Sequence, residues 1–236
     1  MNKLFIGLSL LAALSSCNHT VVDDDDIIST HVLTKEEQAK LTPDEVIEDL
    51  KKGNLDFVED KLTIRNSTER VRNASLGQYP EAVVLSCLDS RVPVEDVFHK
   101  AIGEIFVARV AGNIVNDDII GSLEYACKVS GSKVIVVLGH EYCGAIKSSI
   151  DRVKLGFVTS VLEKIEPAIA VAEQNYKGDY TSKNPTFVDE VCKYNVINSI
   201  NRIRNTSTIL NEMEEKNEIK IIGGIYDMKT GKVEFI

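Results

Sequence analysis

The sequence predicts an α/β fold: a mainly parallel central β-sheet flanked by helices and preceded by an N-terminal helical arm. Three observations predict it. The runs Ala82-Val83-Val84-Leu85-Ser86 and Val134-Ile135-Val136-Val137-Leu138-Gly139 are short, rich in β-branched residues and bounded by turn signals, as strands buried on both faces are. Strand-like runs alternate with helix-like segments, which favours parallel pairing through helical crossovers. With 236 residues, 44% of them hydrophobic and none of them Trp, the chain has material for one such domain with a full core.

The helical arm begins with several agreeing signals. Thr42 is placed to cap the helix, Pro43 takes its first position, and Glu45 completes a capping box. Val46, Ile47 and Leu50 form one apolar stripe before Gly53 ends the helix. So short an amphipathic helix needs a surface to lie on, either its own core or a partner subunit. A mixed segment then leads to Tyr79-Pro80 and the strand at Ala82. Pro93 opens a brief helix through Phe98, and Ile105 to Val110 is the next strand. Ala111-Gly112-Asn113 turns the chain into a helix from about Asp117 to Ser130, and the strand ending at Gly139 follows. Further helices fit 143–153, 157–175 and 187–215. Ile219 to Ile225 is a fourth strand, and Asp227 to Gly231 turn into an edge strand at Lys232 to Ile236.

The N-terminus reads as a targeting segment outside the fold. Lys3 is a minimal positive region, and Leu4 to Leu14 are apolar. That stretch is shorter than the roughly 20 residues a bilayer span needs, yet it fits a secretory signal. It ends in Leu14-Ser15-Ser16-Cys17, which resembles a bacterial lipobox, so residues 1–16 are read as a signal peptide and Cys17 as the lipidated first residue of the exported chain. Asn18 to Lys40 is polar, contains the run Asp23 to Asp26 and has no periodicity, so 17–40 is read as a flexible tether. Residues 41–236 are then the single folded domain. This organisation places the protein in the bacterial cell envelope, periplasm or outer membrane, held by lipid.

Net charge and cysteine usage narrow the chemistry. With 27 Lys and Arg against 36 Asp and Glu, the formal charge is −9 and no basic run exceeds two residues, so a nucleic-acid partner is not expected. Cys127 and Cys192 sit within helical apolar patterns and read as buried small hydrophobes rather than halves of disulfides.

The remaining cysteines carry the function. Cys87-Leu88-Asp89-Ser90-Arg91 follows one apolar run and His140-Glu141-Tyr142-Cys143 follows another. Ligand sites of open α/β sheets lie just past the carboxyl ends of such strands. If the two strands are neighbours, two thiols and an imidazole converge. Cys87, His140 and Cys143 form a sulfur, sulfur and nitrogen set that suits Zn2+, one ion per chain, and three protein ligands leave a fourth position open as catalytic sites do. His140 and Cys143 are spaced to face one side of a helical turn. Asp89 points the same way as Cys87 in extended chain. It can fill the fourth position, or it can orient the attacking zinc-bound hydroxide while Arg91 holds it in a bidentate pair.

These motifs resemble the β-class carbonic anhydrases: Cys-x-Asp-x-Arg, then Gly-His-x-x-Cys-Gly about fifty residues on. The likeness runs from about Gln78 to Gly156, and more loosely from Thr42 to the C-terminus. It implies reversible hydration of carbon dioxide to bicarbonate, with Cys87, His140 and Cys143 as zinc ligands and Asp89 with Arg91 as catalytic dyad. It further implies that Gln78 hydrogen-bonds substrate, that Phe106 and Tyr125 line a small apolar pocket for it, and that Gly144 stands at the pocket wall. The resemblance implies a homodimer or higher homo-oligomer, its N-terminal helical arm packing on the partner subunit.

The chain departs from the family pattern twice. Val110 stands within Arg109-Val110-Ala111-Gly112-Asn113 where the family commonly has Asn. Val84 stands three residues before Cys87, where members with an inhibitory bicarbonate site carry Trp, although Arg109 and Tyr125 remain. A hydrolase of carbonyl sulfide or carbon disulfide is the alternative on the same scaffold. A non-catalytic lipid-anchored zinc protein, its site closed by a fourth ligand, is the alternative from another class.

Overall fold

The structure, a computed structural model, describes residues 27, 28, 30–61, 64, 65 and 67–236. The signal peptide, Cys17 and the tether as far as residue 26 lie outside the described residues. None of the described helices is long and apolar enough to cross a membrane.

Two short strands, β1 (Ile27–Ile28) and β2 (Ile64–Arg65), pair with each other in parallel. The main sheet contains β3 (Ala82–Ser86), β4 (Ile105–Arg109), β5 (Val134–His140), β6 (Lys220–Tyr226) and β7 (Val233–Phe235) in the order β4-β3-β5-β6-β7. Every neighbouring pair is parallel except β6 with β7, so the mainly parallel sheet flanked by helices is the observed fold. β3 and β5 are neighbours, in register from Ala82 opposite Val134 to Ser86 opposite Leu138.

Burial on both faces explains the continuous apolar runs. Val83, Leu85, Ile135 and Val137 face one cluster, which α5 (Asp117–Glu124), α9 (Pro185–Thr206) and α10 (Thr208–Glu215) help to form. Ala82, Val84, Val134, Val136 and Leu138 face another, with α2 (Pro43–Val58) and α4 (Val94–Val97). Thr42 caps α2 through the expected box, its hydroxyl accepting from the Glu45 N–H at 3.3 Å and its N–H donating to the Glu45 carboxylate at 2.8 Å. Val46 and Leu50 are buried in this second cluster, so the helix's own core takes the stripe.

Several boundaries differ from the sequence reading. Gly53 does not end α2. It lies inside the helix, where a Cβ would come 2.0 Å from the carbonyl oxygen of Phe98, so glycine stands there for close packing and not for termination. The tether is shorter than expected, because α1 (Lys35–Lys40) is capped by Thr34 and the buried Gln38 donates to the carbonyls of Pro80 at 2.8 Å and Ser130 at 2.9 Å. Polar patterning hid this anchor, since a buried amide satisfied by backbone carbonyls leaves no apolar stripe. A helix, α3 (Ser67–Ala74), occupies part of the mixed segment.

The helix expected over 157–175 is two, α7 (Val158–Leu162) and α8 (Glu166–Asn175), because Pro167 has no N–H to continue the first. Likewise 187–215 divides at Ser207, whose hydroxyl caps α10 by accepting from the Leu210 N–H at 3.1 Å. The Asp117 helix passes into a π turn at Tyr125–Val129, and the helix after the second motif is α6 (Gly144–Ile150).

Candidate metal centre

Because β3 and β5 are adjacent and parallel, the segments leaving their carboxyl ends meet. Cys87 follows β3 directly, and His140 is the last residue of β5. Cys143 is not on a helical turn with His140, as the spacing predicted. β5 runs on through His140, which pairs with Tyr226, and the chain then reverses through Tyr142 at φ 54° to make Cys143 the N-cap of α6. The Tyr142 ring lies under two ammonium groups, 5.5 Å from Lys147 Nζ and 5.7 Å from Lys229 Nζ, which helps hold this left-handed turn.

The donor atoms of Cys87, His140 and Cys143 all lie within 4.8 Å of one another, and all three residues are buried. The two sulfurs are 4.0 Å apart, about twice the roughly 2.05 Å of a disulfide bond. His140 Nδ1 is 2.8 Å from the Glu141 carbonyl, to which it can only donate, so the ring presents its Nε2 lone pair to the sulfurs. That Nε2 is buried and has no hydrogen-bond partner among the described residues. An orphaned imidazole nitrogen beside two soft sulfurs fits zinc, which takes such donors together.

The two thiols share their proton unequally. The hydrogen bond from Cys143, ahead of the opposing effect of burial, holds the Cys87 thiol down to about 4, and the same bond pushes Cys143 up. The Gly112 N–H also points at Cys87 Sγ from 3.3 Å.

Asp89 stands at the edge of this cluster, its Oδ2 3.9 Å from His140 Nε2. Arg91 grips it with Nε on Oδ1 at 2.9 Å and Nη2 on Oδ2 at 2.8 Å, while the Arg91 backbone N–H adds a 3.0 Å bond to Oδ1. The guanidinium is the first cause of an Asp89 carboxyl held down to about 2. Arg109 braces this loop by donating to the carbonyls of Cys87 at 3.0 Å and Asp89 at 2.5 Å.

The other expected site residues are not all here. Gly144 is, one residue past Cys143, with nothing within 4 Å of where its Cβ would stand. Gln78 is exposed and precedes β3 at its amino end, with the whole strand, roughly 17 Å at 3.3 Å per residue, between it and the donors. Phe106 and Tyr125 share a cavity of about 630 Å³ with Val83, Ala108 and Asp118, which none of the three donors lines. Sequence reasoning missed the carbonyl-directed donors on α9: Cys192, whose thiol donates to the His140 carbonyl at 3.3 Å, and Asn195, on the Gly112 carbonyl at 2.8 Å. Their spacing with Ser199, three and then four residues, is the sequence signal that was there to be read.

Comparison with known proteins agrees with this geometry. The family model described as carbonic anhydrase matches residues 82–233. The carbonic anhydrase of Mycolicibacterium smegmatis is 32% identical over 191 residues, which cover 78% of this chain and 89% of that one. Carbonic anhydrase 2 of Mycobacterium tuberculosis is 30% identical over 189 residues, covering 78% and 87%. In fold, the chain is similar to the Coccomyxa β-carbonic anhydrase, with a TM-score of 0.63 at 24% identity over 81% of this chain and 85% of that one. The β-carbonic anhydrase CcaA gives the same TM-score of 0.63 at 23% identity, covering 81% and 92%.

Proposed function

The chain belongs to the carbonic anhydrase family, in its β class, and on that premise we propose how its own residues serve the reversible hydration of carbon dioxide to bicarbonate and a proton. The observation that carries the proposal is the convergence of Cys87, His140 and Cys143 beside an Asp89 already gripped by Arg91. Bound by those three side chains, zinc supplies a Lewis acid that makes water a nucleophile near neutral pH. His140, its Nδ1–H spent on the Glu141 carbonyl, contributes Nε2. Cys87 and Cys143 contribute thiolates, so the charge of the site balances with Asp89 and Arg91 opposed beside it. Arg91 keeps Asp89 ionised and held back from the donor atoms, and Oδ2, 3.9 Å from His140 Nε2, is the atom that accepts a hydrogen bond from the reacting water and orients it. Gly144 leaves the space beside Cys143 open for carbon dioxide.

The expected measurement is carbon dioxide hydration by stopped flow, lost on chelation and restored by zinc, with one zinc per chain by elemental analysis. Cys143→Ala loses metal and activity together, since two ligands make a poor site. Full zinc occupancy in Cys143→Ala would falsify the ligand assignment.

Gln78, Phe106 and Tyr125 take their substrate-binding roles in a homodimer or larger homo-oligomer. What supports this is their placement away from the donors of their own chain, together with β4 standing at an open sheet edge. Sedimentation should find at least two chains per particle.

The sequence before the fold supports export and lipidation at Cys17, with the catalytic domain held at the cell envelope. Two or more acyl chains anchor stably where one is marginal. Wild type should partition with membranes and label with a palmitate analogue, and Cys17→Ser should do neither. A soluble cytoplasmic protein with an intact N-terminus would end this reading.

A further inference from the structure

We infer that Asn195 is a positioning residue for the Cys87 sulfur, acting through the backbone of Gly112 from its carbonyl side to its N–H side. The inference rests on the zinc-ligand reading above and adds a residue to it. Asn195 lies on α9 behind the site and is 1% exposed. Its Nδ2 donates to the Gly112 carbonyl at 2.8 Å, and the amide orientation is fixed because that carbonyl can only accept. Across the same residue, the Gly112 N–H points at Cys87 Sγ from 3.3 Å. One buried side chain therefore holds the residue whose N–H meets the sulfur.

The intermediate residue has to be glycine. Gly112 sits at φ 68°, in the left-handed region, and a Cβ there would come 2.8 Å from Ile165 Cδ1 and 3.2 Å from Ala145 Cβ. Without a side chain of its own, Gly112 depends on outside partners to fix its orientation. Asn195 supplies one at the carbonyl, and the sulfur receives the result.

The neighbours of Asn195 on α9 repeat the pattern. Cys192 donates to the His140 carbonyl at 3.3 Å and Ser199 to the Asn113 carbonyl at 3.2 Å. Three polar residues on one face of a helix that otherwise buries Val188, Val191 and Val196 thus address the His140 segment and the 111–113 turn that lies against Cys87. Burying an amide in such a face is costly without hydrogen bonds, and Asn195 Oδ1 has none among the described residues. An apolar residue at 195 would avoid that cost, so packing alone does not account for Asn there.

An N–H directed at a metal-bound thiolate stabilises its charge and fixes its lone pairs, and loss of such a supporting contact typically costs 10- to 100-fold in metal affinity, by the general behaviour of outer-shell partners. The test uses Asn195→Asp, which keeps the shape but turns a carboxylate towards the Gly112 carbonyl. Zinc affinity by chelator competition should fall about tenfold or more. The sulfur-to-metal charge-transfer band of the cobalt form should shift. Asn54→Asp is the control for loss of a buried amide elsewhere, since Asn54 Nδ2 donates to the Val97 and Gly231 carbonyls. Neither carbonyl belongs to a residue assigned to the site, although Val97 follows Arg91 by only six positions, so that variant should lose stability and keep its zinc affinity.

Should Asn195→Asp not fold, the milder Asn195→Ser takes its place in the same zinc measurements, and cadmium-113 loading of the wild-type protein tests the Gly112 contact itself. The Gly112 amide proton should be shifted downfield and show scalar coupling to the metal through sulfur. A folded Asn195→Asp with unchanged zinc affinity, equal losses in both variants, or a Gly112 amide without that coupling would each overturn the role of Asn195. A wild-type protein that binds no zinc would instead sink the ligand assignment itself.

Discussion

Arg91 holds Asp89 through three hydrogen bonds between residues only two positions apart, at 2.9, 2.8 and 3.0 Å. Such a fork is more than a surface ion pair, because Asp89 is only 16% exposed and Oδ2 sits 3.9 Å from a ligand nitrogen. On the proposed reading, the grip is what separates a carboxylate that orients water from one that would occupy the metal's open position. Arg91→Ala is therefore expected to retain zinc while losing at least about a hundredfold in turnover, the scale of one lost electrostatic group at an active site. Elemental analysis and stopped-flow hydration on the same sample check it. Near wild-type rates at neutral pH would refute the gating role.

Val84 is fully buried in β3 among the residues packed under α2, and Arg109 already spends its guanidinium on the carbonyls of Cys87 and Asp89. Bicarbonate is accordingly expected to inhibit as product, with a hyperbolic dose response. A steep sigmoidal loss of activity, or a crystal with bicarbonate against Arg109 and Tyr125 away from zinc, would contradict this.

Gly53 lets α2 approach the backbone of Phe98, with no room for a Cβ that would stand 2.0 Å from the carbonyl. Because the obstacle is backbone, Gly53→Ala forces the helix outward, and a loss of about 3 kcal/mol is expected, at the upper end for overpacking. Urea unfolding measures it. A variant as stable as wild type would mean that α2 lies elsewhere.

Glu81 and Lys100 form a buried pair at 2.5 Å, with Asp49 on the other side of the ammonium. Burial, only partly offset by Lys100, pushes the Glu81 carboxyl up to about 7. An acid raised on folding binds its proton in the native state where the unfolded chain has released it, so its contribution to stability falls as pH rises from the ordinary glutamate value near 4.3 to about 7. Glu81→Gln cannot titrate and should gain stability relative to wild type over that window. Thermal unfolding of both proteins at pH 5 and pH 8 checks the sign, and parallel curves would dismiss it.

What could be read in the chain was whatever local pattern controls. β3 and β5 announce themselves because burial on both faces demands continuous apolar runs, and Thr42-Pro43-Asp44-Glu45 because capping chemistry is local. The ligand set was legible for a related reason: Cys87 and His140 need nothing more than adjacent parallel strands to meet. Other features depend on contacts between distant segments. Gly53 looks like a helix stop until Phe98 is seen beside it, and Gln38 looks solvated until the carbonyls of Pro80 and Ser130 are found around it. Cys192 is the buried free thiol that its apolar pattern announces, and its added bond to the His140 carbonyl was visible only in the spacing it shares with Asn195 and Ser199. Gln78 matches its motif position yet stands at the far end of its strand, and no spacing rule says which copy of the chain it serves.

The register of β3 against β5 separates two events in the life of this protein. Ser86 lies opposite Leu138, and the sheet between them is locked by hydrocarbon on both faces, so the places of Cys87 and His140 are decided by oil and not by the ion. A small zinc domain without a core cannot fold until its metal arrives. This chain is instead expected to finish folding first and be charged afterwards, so that the zinc-free protein keeps its native circular dichroism and unfolds cooperatively.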